Sequence, residues 1–378
     1  MRQPTPTPPS RFPVKRKSGL AGRALLGLFI LALLTVGGTW LMHAGIDPAE
    51  ERDAAHLPAI RSEALAEVRS WGYQLQRLDL AEAARSRHDL LVIDETLDGR
   101  TPPNRRKAAI TTLKRKPDGG RRIVLAYLSI GEAESYRPYW QREWVAAAAP
   151  APVSLKPADV PSLGTSPLTA GPSKNPGAVI RPPMLPTSQA PAWLGQENPE
   201  WRGNFAVRFW DPEWQAVLTG SETAALDRLM AAGFDGVYLD RADVYTQWTR
   251  EIPDARSRMV DLVTRLSAYA KGRDRDFLIA LQNAEEMLGN RKVRSALDLI
   301  AKEDLLFGIA ADGQPNSSGD ISASVGYLKK AQRDGLPILV VEYLDAGPDK
   351  SAAQRTLDGH GFISYFAPRR LDSLRPRL

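Results

Sequence analysis

The sequence predicts an α/β chain folded as a (β/α)8 (TIM) barrel, and three observations carry that prediction. Short apolar runs alternate with helical patterns, the runs number eight, and none shows the clean in/out alternation of a half-exposed sheet. Strands covered on both faces by helices read this way. The runs fall at 71–76, 89–94, 123–130, 236–240, 277–283, 297–303, 337–343 and 362–367. Helical patterns at 221–232, 255–270 and 322–334 lie between them, and Gly233 and Gly335 suit the C-terminal caps of two. Eight parallel strands with intervening helices over about 300 residues close into a barrel. An open, doubly wound sheet is the structural alternative.

The elements before the first strand read differently. Residues 1–23 hold Arg2, Arg11, Lys15, Arg16, Lys17 and Arg23 with no acidic residue, and 24–46 is a continuous apolar stretch. At about 1.5 Å per residue that stretch is long enough to cross a hydrocarbon core of about 30 Å. Asp47, Glu50, Glu51 and Asp53 follow it, so the charge bias places 1–23 in the cytoplasm and the rest outside. The segment is expected to be a retained transmembrane signal anchor, with a cleaved signal peptide as the alternative. Both export the body to a periplasmic or extracellular location. Residues 47–70 read as a linker, and the barrel as 71–375.

The 378-residue chain is 43% hydrophobic and 25% charged, which suits a globular body. Without the six tail cations the remaining 44 basic residues balance the 44 acidic ones, so the net charge of +6 belongs to the tail. That distribution argues against a nucleic-acid partner. The absence of cysteine excludes disulfide scaffolds, thiolate metal sites and thiol nucleophiles. Four histidines, one of them inside the apolar stretch, leave little for a histidine-ligated metal or a serine–histidine pair. No phosphate loop, dinucleotide fingerprint or zinc-protease motif is present, so no cofactor is expected. Residues 146–192 interrupt the pattern with Ala, Pro, Ser and Gly. The stretch from 145 to 191 holds eleven of the 30 prolines, and 146–192 is read as a disordered insertion.

The predicted strand ends carry the chemistry. In a barrel the C-terminal ends of the strands open onto the active-site face. Here those ends are Gln76, Asp94, Ser129, Asp240, Gln282 with Asn283, Glu303, and Glu342 with Tyr343. Such a ring suits a hydroxyl-rich ligand. Asp240 and Glu303 stand out because each ends an apolar run. Cleavage of a glycosidic bond needs one carboxyl to protonate the leaving oxygen and another to act as nucleophile or base. Asp94 and Glu342 share the position and are equally readable as structural acids. Glu285 and Glu286 are weaker candidates for the acid. Tyr136, Tyr139, Trp140, Trp144, Trp193, Trp201, Trp210 and Trp214 cluster around the insertion, and aromatic rings stack on sugar faces as readily as they fill cores.

The strings VLAYLSIGEAESYR (124–137), FWDPEW (209–214), GFDGVYLDRADVY (233–245), LQNAEEML (281–288) and AKEDLLFG (301–308), in that order, resemble the barrel domain of glycoside hydrolase family 114. The resemblance covers about residues 70–375 outside the proline-rich segment. It implies endo-α-1,4-polygalactosaminidase-like hydrolysis of a partly deacetylated, cationic galactosaminoglycan. It also implies Asp240 as nucleophile and Glu303 as acid/base, with Tyr127, Gln282 and Asn283 lining the sugar subsite. The expected substrate-binding set is Asp94, Tyr127, Trp210, Tyr238, Gln282, Asn283, Glu342 and Tyr343. The expected partners are a polysaccharide and, through 24–46, a membrane, and the chain is expected to be a monomer. A sugar-binding barrel without catalysis and a scaffold in an exopolysaccharide system are the competing functions.

Overall fold

The computed structural model describes residues 63–148, 182–344 and 347–374. The anchor at 24–46, the basic tail and most of the linker lie outside the described residues. Among the described residues no helix is long and apolar enough to cross a membrane.

Thirteen strands are described: β1 (Trp71–Gln74), β2 (Leu90–Ile93), β3 (Ile123–Ser129), β4 (Glu132–Glu134), β5 (Val145–Ala147), β6 (Met184–Pro186), β7 (Leu194–Glu197), β8 (Asn204–Val207), β9 (Gly236–Asp240), β10 (Leu278–Gln282), β11 (Leu299–Glu303), β12 (Ile338–Glu342) and β13 (Ile363–Phe366). Eight of these form one parallel sheet in the order β1-β2-β3-β9-β10-β11-β12-β13. They are the eight runs read from the sequence, each shorter by at most two residues. The sheet is a nearly closed barrel. Its seam is bridged by a side chain, since the Trp71 indole Nε1 donates to the Ile363 carbonyl at 3.0 Å.

The helices outside the sheet include α1 (Glu63–Ala66), α2 (Leu80–Arg85), α3 (Pro103–Leu113), α4 (Pro212–Leu218), α5 (Ala225–Ala231), α6 (Ala255–Lys271), α7 (Arg291–Ala296), α8 (Ser318–Arg333) and α9 (Pro348–His360). Asp79, Asp211, Asn290 and Ser317 cap α2, α4, α7 and α8 by accepting backbone N–H groups of the first turn.

Because side chains alternate along a strand, the core divides into two apolar sets. One lies between sheet and helices, and the other fills the barrel interior with Trp71, Tyr73, Leu90, Val92, Leu125, Tyr127, Tyr238, Ala280, Ala301, Val341 and Tyr365 among others. Aromatic rings stack through that interior, with centroids 5.9 Å apart for Trp71–Tyr73 and 5.2 Å for Tyr73–Tyr238. Gly236 is required here, because a Cβ would meet the Leu278 carbonyl oxygen at 2.3 Å. Leu65 and Val68 are buried against the interior set, so the end of the predicted linker belongs to the barrel.

The connection from β3 to β9 carries an accessory three-stranded antiparallel sheet, β4-β8-β7, and the ribbon β5-β6. The segment read as a disordered insertion is therefore ordered at both ends, at 146–148 and 182–192, while 149–181 lies outside the described residues. Most of the aromatics gathered there pack on one another within the sheet–helix core. Trp140 meets Phe205 at 4.8 Å, Trp144 meets Trp193 at 5.3 Å, and Trp193 meets Trp214 at 5.0 Å. The Trp214 indole N–H donates to the Ile130 carbonyl, tying α4 to the residue that follows β3. Trp144, Trp193 and Trp214 are thus packing residues rather than sugar platforms.

Candidate active site

Continuing the interior register of each strand by one step gives the ring of side chains at the barrel mouth. On β9 the inward positions Gly236 and Tyr238 lead to Asp240, and on β10 Leu278 and Ala280 lead to Gln282. On β11 Leu299 and Ala301 lead to Glu303, and on β12 Leu339 and Val341 lead to Tyr343. Asp240 and Glu303 therefore share one rim, two strands apart.

Each carboxylate is held by a tyrosine from the strand on its far side. The Tyr127 hydroxyl donates to Asp240 Oδ2 at 2.6 Å, and the Tyr343 hydroxyl donates to Glu303 Oε1. The second oxygen of Asp240 accepts the Arg241 N–H at 2.7 Å, whereas that of Glu303 has a longer contact, 3.3 Å, from Asn283 Nδ2. Asn283 is itself fixed, since its Oδ1 accepts the Glu303 N–H at 3.0 Å. Burial, and then the neighbouring Glu303 charge, push the Asp240 carboxyl up to about 7. Burial also raises Glu303, against the hydrogen bond from Tyr343. A proton on Glu303 therefore removes part of what raises Asp240.

Backbone strain gathers at the same place. Arg241, Asn283, Ala284 and Asp304 directly follow β9, β10 and β11, and all have φ between 50° and 61°, where non-glycine residues are disfavoured. The turn at Arg241 is what aims its N–H at the Asp240 side chain. Gly131 makes that turn possible: a Cβ there would sit 2.1 Å from the Arg241 carbonyl oxygen. The Arg241 guanidinium is spent elsewhere, on Glu132 at 2.9 Å and Asp243 at 3.2 Å.

Two buried polar atoms of the described residues face this region without a partner, Tyr238 Oη and Gln282 Oε1. Unpartnered buried atoms are costly, and a buried water is what such a pair can receive.

The other candidates separate on geometry. Asp94 reaches the mouth, but Arg137 Nη2 binds its Oδ2 at 2.7 Å and the Thr96 hydroxyl donates to its Oδ1. Arg137 also binds Glu134 at 2.7 Å and Glu95 at 3.3 Å, and Arg228 binds Glu95 at 2.8 Å. Sequence reasoning did not single out Glu134 and Arg137; a basic residue three positions from an acid, just past a strand end, was the available signal. Glu342 is corrected outright. It follows inward-facing Val341, so it points toward the helix layer, where it accepts the N–H groups of Leu306 at 2.8 Å and Phe307 at 3.2 Å. Trp210 also lies away from the rim. It packs on Phe209 and Trp248 and lines an outer groove with Arg258, Asp261, Thr264, Arg265 and Lys292. Glu285 is paired with Lys302 at 3.0 Å, on the outward side of β11, and Glu286 accepts from the Tyr245 hydroxyl.

A family model described as Glycoside-hydrolase family GH114 matches residues 185–377. The chain is 30% identical over 321 residues to the uncharacterized protein MJ1477 of Methanocaldococcus jannaschii, covering 80% of this chain and 77% of that protein. It is 30% identical over 359 residues to an uncharacterized protein of Deinococcus radiodurans, covering 93% and 98%. Among solved structures it is similar to the glycoside hydrolase domain of PelA from Pseudomonas aeruginosa, with a TM-score of 0.49 and 16% identity, covering 80% of this chain and 96% of that one.

Proposed function

The chain belongs to glycoside-hydrolase family GH114, and on that footing we propose that it cleaves α-1,4-linked, galactosamine-containing polysaccharide with Asp240 and Glu303 as the reacting pair. The observation that carries this reading is that both carboxyls stand half-buried at one barrel mouth and are held by neutral donors. Such groups remain free to exchange protons, and their coupling favours one proton shared between them.

The hydrogen bonds suggest how the roles divide. Both oxygens of Asp240 accept short bonds, which favours the ionised form, and protonating Glu303 removes the charge that raises Asp240. Glu303 Oε2, with its long contact, is the better seat for the proton. In the first step the Asp240 carboxylate attacks the anomeric carbon while Glu303 gives its proton to the departing glycosidic oxygen. In the second, the Glu303 carboxylate takes a proton from water as that water's oxygen displaces Asp240, returning both groups to their starting states. Both reacting groups come from one chain, so a monomer suffices.

The apolar segment 24–46 supports an exported barrel tethered to a membrane, and protease accessibility of the barrel in intact cells tests that part. The catalytic reading is tested by incubating the full chain with galactosamine- and glucosamine-based polymers and analysing the products by mass spectrometry. Release of galactosamine oligomers with retained anomeric configuration is expected. Binding without release would leave a receptor, and inverted products would reassign Asp240 as a base.

A further inference from the structure

Resting on that substrate reading, we infer that Tyr136 is a stacking platform for a sugar unit beyond the pair cleaved, and that it sets a preference for long chains. Among the described residues the exposed large hydrophobic side chains are Tyr136, Leu185, Trp201 and Ile309, and Tyr136 is the most exposed, at 60%. An exposed ring is ordinarily mobile, but this one is held at two points. Its hydroxyl donates to Glu134, and the Arg137 guanidinium lies 4.8 Å from its ring centroid. Both supports are buried and locked in turn, because Arg137 binds Glu134 and Asp94 at 2.7 Å each. Ordering the ring in advance removes much of the entropy that a ligand would otherwise have to overcome.

The platform neighbours the reacting pair. The Tyr127 hydroxyl, which holds Asp240, is close enough to Glu134 and Tyr136 for both to raise its pKa. Next to Tyr136 the chain is tied to the accessory sheet: Ser135 N–H donates to the Gly203 carbonyl at 2.8 Å, in the turn that carries Trp201. A track from Asp240 past Tyr136 toward Trp201 suits an extended chain of pyranose rings, whose C–H faces pack on aromatic rings. The ion-pair network beneath Tyr136 thus gives the paired acids a task in substrate binding that no reacting group performs.

The test compares wild type, Tyr136→Ala and Tyr136→Phe, all as the full chain, on long α-1,4-galactosaminan and on an oligomer just long enough to be cut. Tyr136→Ala is expected to raise KM for the polymer by roughly tenfold more than for the oligomer, with kcat little changed, while Tyr136→Phe, which keeps the ring, stays close to wild type. Equal effects on both lengths, whether large or absent, overturn the platform, because a purely structural role through Glu134 has no dependence on chain length. Calorimetry of galactosaminan binding in the Glu303→Gln background separates the two readings. If wild type cleaves nothing, the substrate proposal falls, and the platform survives only if the polymer binds and Tyr136→Ala weakens that binding. Binding that is undetectable or unchanged overturns the platform as well.

Discussion

The acids on one side of the mouth, Asp94, Glu95 and Glu134, are held by the guanidinium groups of Arg137 and Arg228. Those on the other, Asp240 and Glu303, are held by two phenols, one amide and one backbone N–H. The first group is buried and the second half-buried at the same barrel end, and the partners differ in kind. A carboxylate paired with a guanidinium in low dielectric keeps its charge and its place, and it serves as architecture. A carboxylate held by neutral donors can gain and lose a proton without leaving a bare cation behind. Identity as an acid at the barrel end is therefore a poor guide to catalysis, and the partner is the better one.

The contrast can be broken most severely at the reacting pair. Asp240→Asn and Glu303→Gln are each expected to lower kcat by about 10²–10⁴-fold with the fold intact by circular dichroism, which a reducing-end assay measures. Either variant with near-normal turnover would erase the distinction. On the ion-paired side the effect should fall on stability instead. Arg137→Ala leaves three acids around an empty position and is expected to cost about 3–5 kcal/mol in urea unfolding, whereas Asp240→Asn removes a repulsion and should cost little or gain.

The two sides also differ in how far a sequence reveals them. The barrel strands were legible because apolar runs of strand length recur between helical patterns, and Asp240, Gln282 and Glu303 end such runs in inward register. The direction of Glu342 was not legible. Ile338, Leu339, Val340 and Val341 are all buried, so the strand has no alternation from which to read its inward face. The ion-pair network was hidden for another reason: Arg137 meets Asp94 and Glu95 across more than forty residues of chain. The tryptophans misled because those around the accessory sheet pack into the sheet–helix core, and only packing distinguishes a core indole from a sugar platform.

A finer test of the neutral-donor side is Tyr127→Phe. Its hydroxyl favours the ionised form of Asp240, so its loss should raise that carboxyl further. If Asp240 reacts as the anion, the rising limb of kcat/KM moves to higher pH, and a move of about one pH unit gives roughly a tenfold loss on the acid side of the limb. A limb that stays put would assign it to Glu303. The smallest effect is expected at Trp210→Ala, which alters the outer groove and should leave turnover within about twofold while lowering stability through lost aromatic contacts.

The division of labour between Asp240 and Glu303 is tested most directly by chemical rescue with azide, using a galactosaminide with an activated leaving group. With Asp240→Ala, azide should attack the anomeric carbon in place of the carboxylate and yield a glycosyl azide of inverted configuration. With Glu303→Ala, azide should intercept the Asp240-linked sugar and yield the retained configuration. Azides of the same configuration from both variants, or rescue of neither, would contradict the account.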